Sequence, residues 1–275
     1  MKIVFTDLDG TLLNNDWVLS VQNRKSLIKL GQKKIIRVVV TGRSLYSAQK
    51  VLPPDFPIDY LIFSTGAGIM EYKTKEIVYM KNISEDAVRI CSENLVGLKI
   101  NFMLHREIPV SHYFSYFQGN HPPDDFHHRL HLYGEFAEPF DFMLHTKHEA
   151  TQFLSILSPA EFDKAYRELD TKLDSLSIIK TTSPLLKTSI WLEIYASGVS
   201  KGHAADYLAN RLNFQPEDSM AIGNDFNDRE MLDWSRNSFI VANAPQILKD
   251  LYIPVSSNIN DGFSEAVRIW LDWND

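Results

Sequence analysis

Near its start the chain runs through four strand-forming positions, Ile3 to Thr6, and stops at two carboxylates, Asp7 and Asp9, followed by Gly10 and Thr11. A stretch opened by Ser20 comes next, in which Val21, Leu27, Ile28 and Leu30 are spaced as one stripe of a helix. The rhythm repeats: an apolar run from Ile35 to Val40 ends at "TGRS", a helical stretch covers Ser44 to Leu52, and the run Tyr60 to Phe63 ends at "STGAG". It returns near the other end, where "VSKGHAADYLANRL" predicts a helix capped by Ser200, "SMAIGND" a strand, "DREMLDW" a helix, "SFIVA" a strand and "FSEAVRIWL" a helix. Short apolar strands alternating with amphipathic helices predict an α/β fold, a parallel sheet with helices on both faces. In such sheets ligands gather beyond the carboxyl ends of the strands, where Asp7, Asp9 and Thr41 fall.

Between about Asn82 and Thr188 the texture changes to α+β. A helix is expected from Ser84 to Leu95, strands at "KINFMLH" and "HYFSYF", and an irregular stretch around "GNHPPDDFHH". Alternation in "ATQFLSIL" predicts another strand. The cap, first-turn proline and capping-box partner Ser158, Pro159 and Glu161 predict a helix start, and "LSIIKTT" and "SIWLEIYA" two further strands. The expected organisation is a core of residues 1–82 and 189–275 interrupted by an inserted domain, residues 83–188.

Composition narrows the function. A formal net charge of -7 argues against a nucleic-acid binder, whose affinity rests on Lys and Arg, and obliges a small anionic substrate to find locally placed cations. Cys91 is the only cysteine, so no intrachain disulfide forms and a reducing compartment is expected. The apolar run after Lys2 is too short for a secretory leader, and no stretch reaches the roughly 18 residues of a membrane helix, so a cytoplasmic protein without membrane contact is expected. The oligomeric state is open at this stage.

An aspartate pair at i, i+2 on an extended segment points both carboxylates to one side while Leu8 faces the other. Two uses fit: joint metal binding, or one carboxylate as nucleophile with its neighbour as proton carrier. The full "DLDGTLL" resembles motif I of the haloacid dehalogenase superfamily, hydrolases that work through an aspartyl-phosphate, and the remaining motifs follow in order. Thr41 in "VVVTGR" matches motif II, Lys201 in "VSKG" motif III, and Gly223, Asn224, Asp225, Phe226, Asn227, Asp228 the acidic motif IV. "VANAP" and "SSNINDGFSEAV" look like the closing segments of the Cof-type branch, whose members include many sugar-phosphate phosphatases.

The resemblance implies a Rossmann-like core with an α+β cap of the C2 type. It makes Asp7 the nucleophile and Asp9 the acid and base, with Thr41, Gly42, Lys201 and Arg43 on the phosphoryl oxygens. Mg²⁺ would be held by Asp7, Asp9 and the cluster Asn224, Asp225 and Asp228, and the partner would be a small phosphorylated metabolite. Asn224 departs from the usual acidic residue of motif IV, and Thr65 stands where relatives often carry Asn. A Mg²⁺-dependent phosphatase acting on sugar phosphates is the leading expectation; a phosphosugar mutase and a phosphosugar-binding regulatory protein are the alternatives. His127 and His131 have a spacing that binds metal on a helix, but Pro122 and Pro123 argue for a loop there, so a zinc site is not expected.

Overall fold

The computed structural model describes residues 2–120, 122–183 and 189–273; His121 and Thr188, the expected end of the insert, lie outside them. In chain order the elements begin with β1 (Ile3–Asp7), α1 (Val21–Gln32), β2 (Ile36–Val40), α2 (Leu45–Val51), β3 (Tyr60–Phe63), β4 (Gly68–Glu71) and β5 (Ile77–Met80). They continue with α3 (Glu85–Gly97), β6 (Phe102–Arg106), β7 (Phe114–Phe117), α4 (Asp124–Leu132), β8 (Ala137–Pro139), α5 (Phe142–His145), β9 (Ala150–Leu157), α6 (Pro159–Asp170), β10 (Leu176–Thr182) and β11 (Ile190–Ala196). The last are α7 (Lys201–Arg211), β12 (Ser219–Gly223), α8 (Arg229–Trp234), β13 (Asn237–Val241), α9 (Gln246–Lys249), β14 (Ile253–Val255) and α10 (Gly262–Leu271). The chain divides into two compact units, one of Met1–Arg43, Ser47–Tyr79 and Ser200–Asp275, the other of Ser44–Tyr46 and Met80–Val199.

The first unit is built on an eight-stranded sheet in the order β14-β13-β12-β1-β2-β3-β4-β5. Neighbours are parallel from β14 through β3, and β4 runs antiparallel to β3. Helices lie on both sides of the sheet. Ile3 and Phe5 of β1 and Val38 and Val40 of β2 pack with Ala204, Ala205 and Leu208 of α7 and Met231 and Leu232 of α8, a continuous apolar core. The chain moves outward from β1 through β2 and β3 on one side, and from β12 through β13 and β14 on the other. The order therefore reverses between β1 and β12, the place where open α/β sheets bind ligands.

The stripe expected on α1 is corrected. Leu27 and Leu30 are buried, but Val21 and Ile28 are exposed and the buried face is completed by Asn23 and Ser26. Asn23 donates to the Leu12 carbonyl at 3.1 Å and accepts from the Ser264 hydroxyl at 2.8 Å, and Ser26 and Ser264 share a 2.9 Å bond. A hydrogen-bonded polar seam thus joins α1 to α10 and anchors the chain leaving β1, at little desolvation cost because its members are paired.

The second unit holds a six-stranded sheet, β10-β11-β9-β6-β7-β8, antiparallel except for the parallel pair β7 and β8. Here β11 pairs with β9 and β10, so "SIWLEIYA" belongs to this sheet and the boundary expected at 188/189 falls at 199/200. A second correction concerns "GNHPPDDFHH". The helix α4 begins straight after Pro123, with Asp124 and Asp125 in its first turn, so the prolines mark a helix start and not a loop. His127 and His131 do lie one turn apart on that helix, both exposed. Phe126 of α4 packs on Met103, Phe114, Leu154, Ile156 and Trp191 of the sheet.

Candidate active site

The candidate site lies wholly in the first unit, at the carboxyl ends of β1, β2 and β12. Register fixes its level: Asp7 stands opposite Val40, the residue before Thr41, while Thr6 stands opposite Ile222, the residue before Gly223. Gly10, at φ +74°, turns the chain sharply after Asp9; a Cβ there would stand 2.5 Å from the Asn224 side-chain nitrogen. Asn243 donates to the Gly10 carbonyl at 2.8 Å and accepts from the Asn258 amide at 3.0 Å, and Asn258 donates to the Leu13 carbonyl at 3.0 Å. These two asparagines, in the segments "VANAP" and "SSNINDG", hold the loop that carries Asp9 and were not singled out from the sequence.

Lys201 opens α7, whose N-cap Ser200 accepts from the His203 amide at 3.1 Å and donates to the Glu230 carboxylate at the start of α8. Gly66, at φ +103°, presses against this cap: a Cβ there would lie 2.3 Å from the Ser200 carbonyl oxygen. A cation at a helix N-terminus opposes the helix dipole, so something stronger must hold it. Lys201 Nζ donates to Asp7 Oδ1 at 2.7 Å and to Asp228 Oδ1 at 2.6 Å, all three side chains being almost fully buried. Asp228 Oδ2 in turn accepts from the backbone amides of Asn224 at 2.8 Å and Asp225 at 3.0 Å, which binds the loop after β12 to the lysine.

Burial is the main force raising the Asp7 carboxyl to about 7; Lys201 pulls it down and Asp228 pushes it up. For Lys201 burial works to lower the ammonium, but Asp228 and Asp7 outweigh it and carry the group above the ordinary lysine value. Asp7 Oδ2 is buried with no hydrogen-bond partner. An unpartnered carboxylate oxygen in such a place suits a hard cation.

Beside this triad stands a second ion pair. Arg43 donates from Nε and Nη2 to the two carboxylate oxygens of Asp9, each at 2.7 Å, and from Nη1 to the Ser47 hydroxyl at 3.3 Å. Arg43 was expected on the phosphoryl oxygens; the structure brings it to Asp9, a bidentate match of guanidinium to carboxylate. Thr41 is buried, with its hydroxyl oxygen accepting from the Arg43 amide at 3.1 Å and its carbonyl from the Thr65 amide at 3.0 Å. Gly42 is exposed, and Thr65 is fully buried at φ +54°.

The expected metal set is only partly assembled. Among the described residues no three Asp, Glu, His or Cys side chains converge as metal ligands. Asp7 and Asp228 meet only through Lys201, the Asp9 carboxylate is held by Arg43, and Asp225 Oδ1 accepts from the Phe226 amide at 2.8 Å. The Asn224 side-chain nitrogen donates to the Asp9 carbonyl at 3.1 Å, and a half-turn of that amide exchanges its nitrogen for its oxygen. Asp7 Oδ2, the Asp9 carbonyl and the Asn224 amide oxygen are then oxygen donors of the kind Mg²⁺ prefers, so the residues fit such an ion.

The chain is 26% identical over 273 residues to the 5-amino-6-(5-phospho-D-ribitylamino)uracil phosphatase of Bacillus subtilis, covering 98% of this chain and 96% of that protein. It is 24% identical over 275 residues to the HMP-PP phosphatase of Enterobacter sp. strain 638, covering 98% and 96%. Among solved structures, a HAD subclass IIB sugar phosphatase superposes with a TM-score of 0.78 at 18% identity, covering 98% of this chain and 99% of that one. A protein from Streptococcus mutans UA159 superposes with a TM-score of 0.81 at 19% identity, covering 99% and 100%. The model of the haloacid dehalogenase-like hydrolases matches residues 4–267, nearly the whole chain: the chain is a member of the haloacid dehalogenase-like hydrolase family.

Proposed function

We infer that the protein is a Mg²⁺-dependent phosphatase of small phosphorylated metabolites, sugar phosphates foremost, that works through a phosphorylated Asp7. The observation that carries this reading is the Asp7 carboxylate itself: buried at a strand end, bonded to Lys201 through one oxygen and unpartnered at the other. Such a carboxylate is oriented and poorly solvated, as a nucleophile for phosphorus should be. The named relatives, which act on 5-amino-6-(5-phospho-D-ribitylamino)uracil and on HMP-PP, favour transfer of the phosphoryl group to water over its return to a sugar.

In the first step the Asp7 carboxylate forms a bond to phosphorus as the ester P–O bond breaks, and Asp9 gives its proton to the departing alcohol oxygen. In the second, Asp9 takes a proton from water as the water oxygen bonds to phosphorus, and the P–O bond to Asp7 breaks, releasing inorganic phosphate. Lys201 orients Asp7 and stays cationic beside the phosphoryl oxygens, while Thr41 and the Gly42 amide supply hydrogen-bond donors to them. Asp7, the Asp9 carbonyl and Asn224, with Asp225 and Asp228, would hold Mg²⁺, which would supply the positive charge that lets a carboxylate approach an anionic phosphate. For Asp9 to meet the leaving oxygen, Arg43 must loosen its grip; until then Arg43 holds that side chain in place.

The test is phosphate release from a panel of phosphorylated metabolites with Mg²⁺ and with a chelator, together with trapping of labelled phosphate on the protein. Release that requires the metal, and label that disappears in Asp7→Asn, are the expected results. Metal-independent release, or label retained in Asp7→Asn, overturns the reading.

A further inference from the structure

Asp7 and Asp9 stand two residues apart, yet they are held by different means. Asp7 is the last residue of β1, still paired with Val40 of β2, and Lys201 bonds its carboxylate at 2.7 Å. Asp9 lies past the end of the strand. Its carboxylate is held by Arg43 and its carbonyl by the Asn224 side chain, and the proposed reaction gives up both holds. Arg43 must release Asp9 before Asp9 can meet the leaving oxygen. The half-turn of Asn224 that would offer its oxygen to a cation also takes its nitrogen away from the Asp9 carbonyl. Something else has to keep the acid in place while it works.

Asn243 follows β13 and Asn258 follows β14, the outer strands on the β12 side of the sheet. Asn243 donates at 2.8 Å to the carbonyl of Gly10, the residue after Asp9, and accepts from the Asn258 amide at 3.0 Å. The buried Asn258 side chain donates to the Leu13 carbonyl at 3.0 Å and to the Asn15 side-chain oxygen at 3.1 Å, and Leu13 bridges back to Asp9. The loop behind this clamp is itself tied down. The Ser256 amide donates to the Glu265 carboxylate of α10 at 2.8 Å, the Gly262 amide donates to the Ser257 carbonyl at 3.1 Å, and Asp261 accepts from the Ser20 hydroxyl where the chain enters α1. Among the described residues no hydrogen bond of Asn243 or Asn258 reaches Asp7 or Lys201. We propose that Asn243 and Asn258 are positioning residues for the Asp9 carboxyl alone, keeping the acid at the leaving oxygen once Arg43 lets go without steering the nucleophile. This rests on the phosphatase reading above and names the step that the clamp serves. Esters then depend on the clamp according to how much their departing oxygen needs a proton. An alkyl alcohol leaves poorly as an alkoxide and takes the Asp9 proton as the P–O bond breaks, whereas p-nitrophenolate leaves without one.

Steady-state kinetics on glycerol 1-phosphate and p-nitrophenyl phosphate separate the roles, because kcat/KM ends at departure of the alcohol and excludes the later attack of water. Asn243 is exposed, so Asn243→Ala cuts both of its bonds without opening the core. In that variant kcat/KM for glycerol 1-phosphate should fall about tenfold, while p-nitrophenyl phosphate changes less than about twofold. Asn258→Ala should show the same split at a temperature where its melting curve is still flat. Equal losses on both esters would make the asparagines supports of the fold or of the nucleophile and overturn the proposal, as would no loss on either. Should the wild-type protein release phosphate from neither, the phosphatase reading fails separately, and amide hydrogen exchange over residues 9–15 still decides on the clamp. Exchange faster by about fivefold or more in Asn243→Ala, confined to that segment, upholds it; equal rates overturn it.

Discussion

Asp7 with its partners in the first unit and His105 in the second are buried ionisable groups that meet burial by different rules. In the first, Asp7, Lys201 and Asp228 remain together in a chain of short bonds, so burial is met by opposite charge and Lys201 stays an ammonium. In the second, His105 is buried on β6 with Nδ1 at 2.7 Å from the Ser111 carbonyl and Nε2 without a partner. Burial, helped by the Arg129 charge, pushes that imidazole down to about 3, so it is simply neutral. The first arrangement keeps charge where chemistry needs it; the second removes charge that packing cannot tolerate. Groups that stay charged at a cost in desolvation mark a site more reliably than buried titratable residues in general.

The sharpest way to break this contrast is Lys201→Met. Two carboxylates would be left facing each other in a dry pocket, which costs about 3 to 5 kcal/mol when one partner of a buried pair is lost. Phosphate release should fall by about a thousandfold or more, because under the proposed mechanism the variant loses both the orientation of Asp7 and a cation at the phosphoryl oxygens. Urea unfolding and single-turnover assays check the two halves separately. Unchanged stability in the variant would mean that the triad is not paired in solution.

The second unit offers the complementary experiment. The folded state refuses a proton at His105 that the unfolded chain takes up near pH 6.5, so stability is complete above that pH and drains away as pH falls toward about 3. Between about pH 7 and pH 5 the loss amounts to about 2 kcal/mol from this residue alone. Unfolding free energies at both pH values should therefore drop by about 2 kcal/mol more in wild type than in His105→Gln, whose amide can still donate to the Ser111 carbonyl. Equal drops in the two proteins would show that the imidazole is protonated in the fold or that its surroundings open.

The same contrast explains what the sequence disclosed. The motifs at strand ends were legible because each sits where an apolar run meets polar residues, and the alternation of runs pointed to a parallel sheet, though not to its strand order. Pairings were not legible. Nothing local tells Arg43 to choose Asp9, 34 positions away, over a phosphoryl group, since either anion satisfies a guanidinium. Asn23 and Ser26 read as solvent-facing until a serine on α10 supplies their partners. In the second unit, "SIWLEIYA" reads as the insert's last strand and its pairing with β9 and β10 puts it there, beyond the boundary expected at 188/189. Pro122 and Pro123 misled because a proline before a helix and a proline in a loop look alike until the following turn is counted.

The smallest expected effect tests how finely the charged triad is positioned. Ser200 touches neither Asp7 nor Asp228, yet it caps the helix that begins with Lys201 and ties that end to Glu230. Replacing it by alanine removes the N-cap bond, worth about 1 kcal/mol of stability, together with the bond to Glu230. If position matters beyond stability, kcat should fall about threefold to tenfold in Ser200→Ala at temperatures where the variant is fully folded, because a small displacement of Lys201 weakens its hold on the transferring group. Ser200→Thr keeps the hydroxyl and should restore both quantities. A variant that loses the stability but none of the turnover would show that Asp7 and Asp228 alone place the lysine, and that the helix start contributes only to folding.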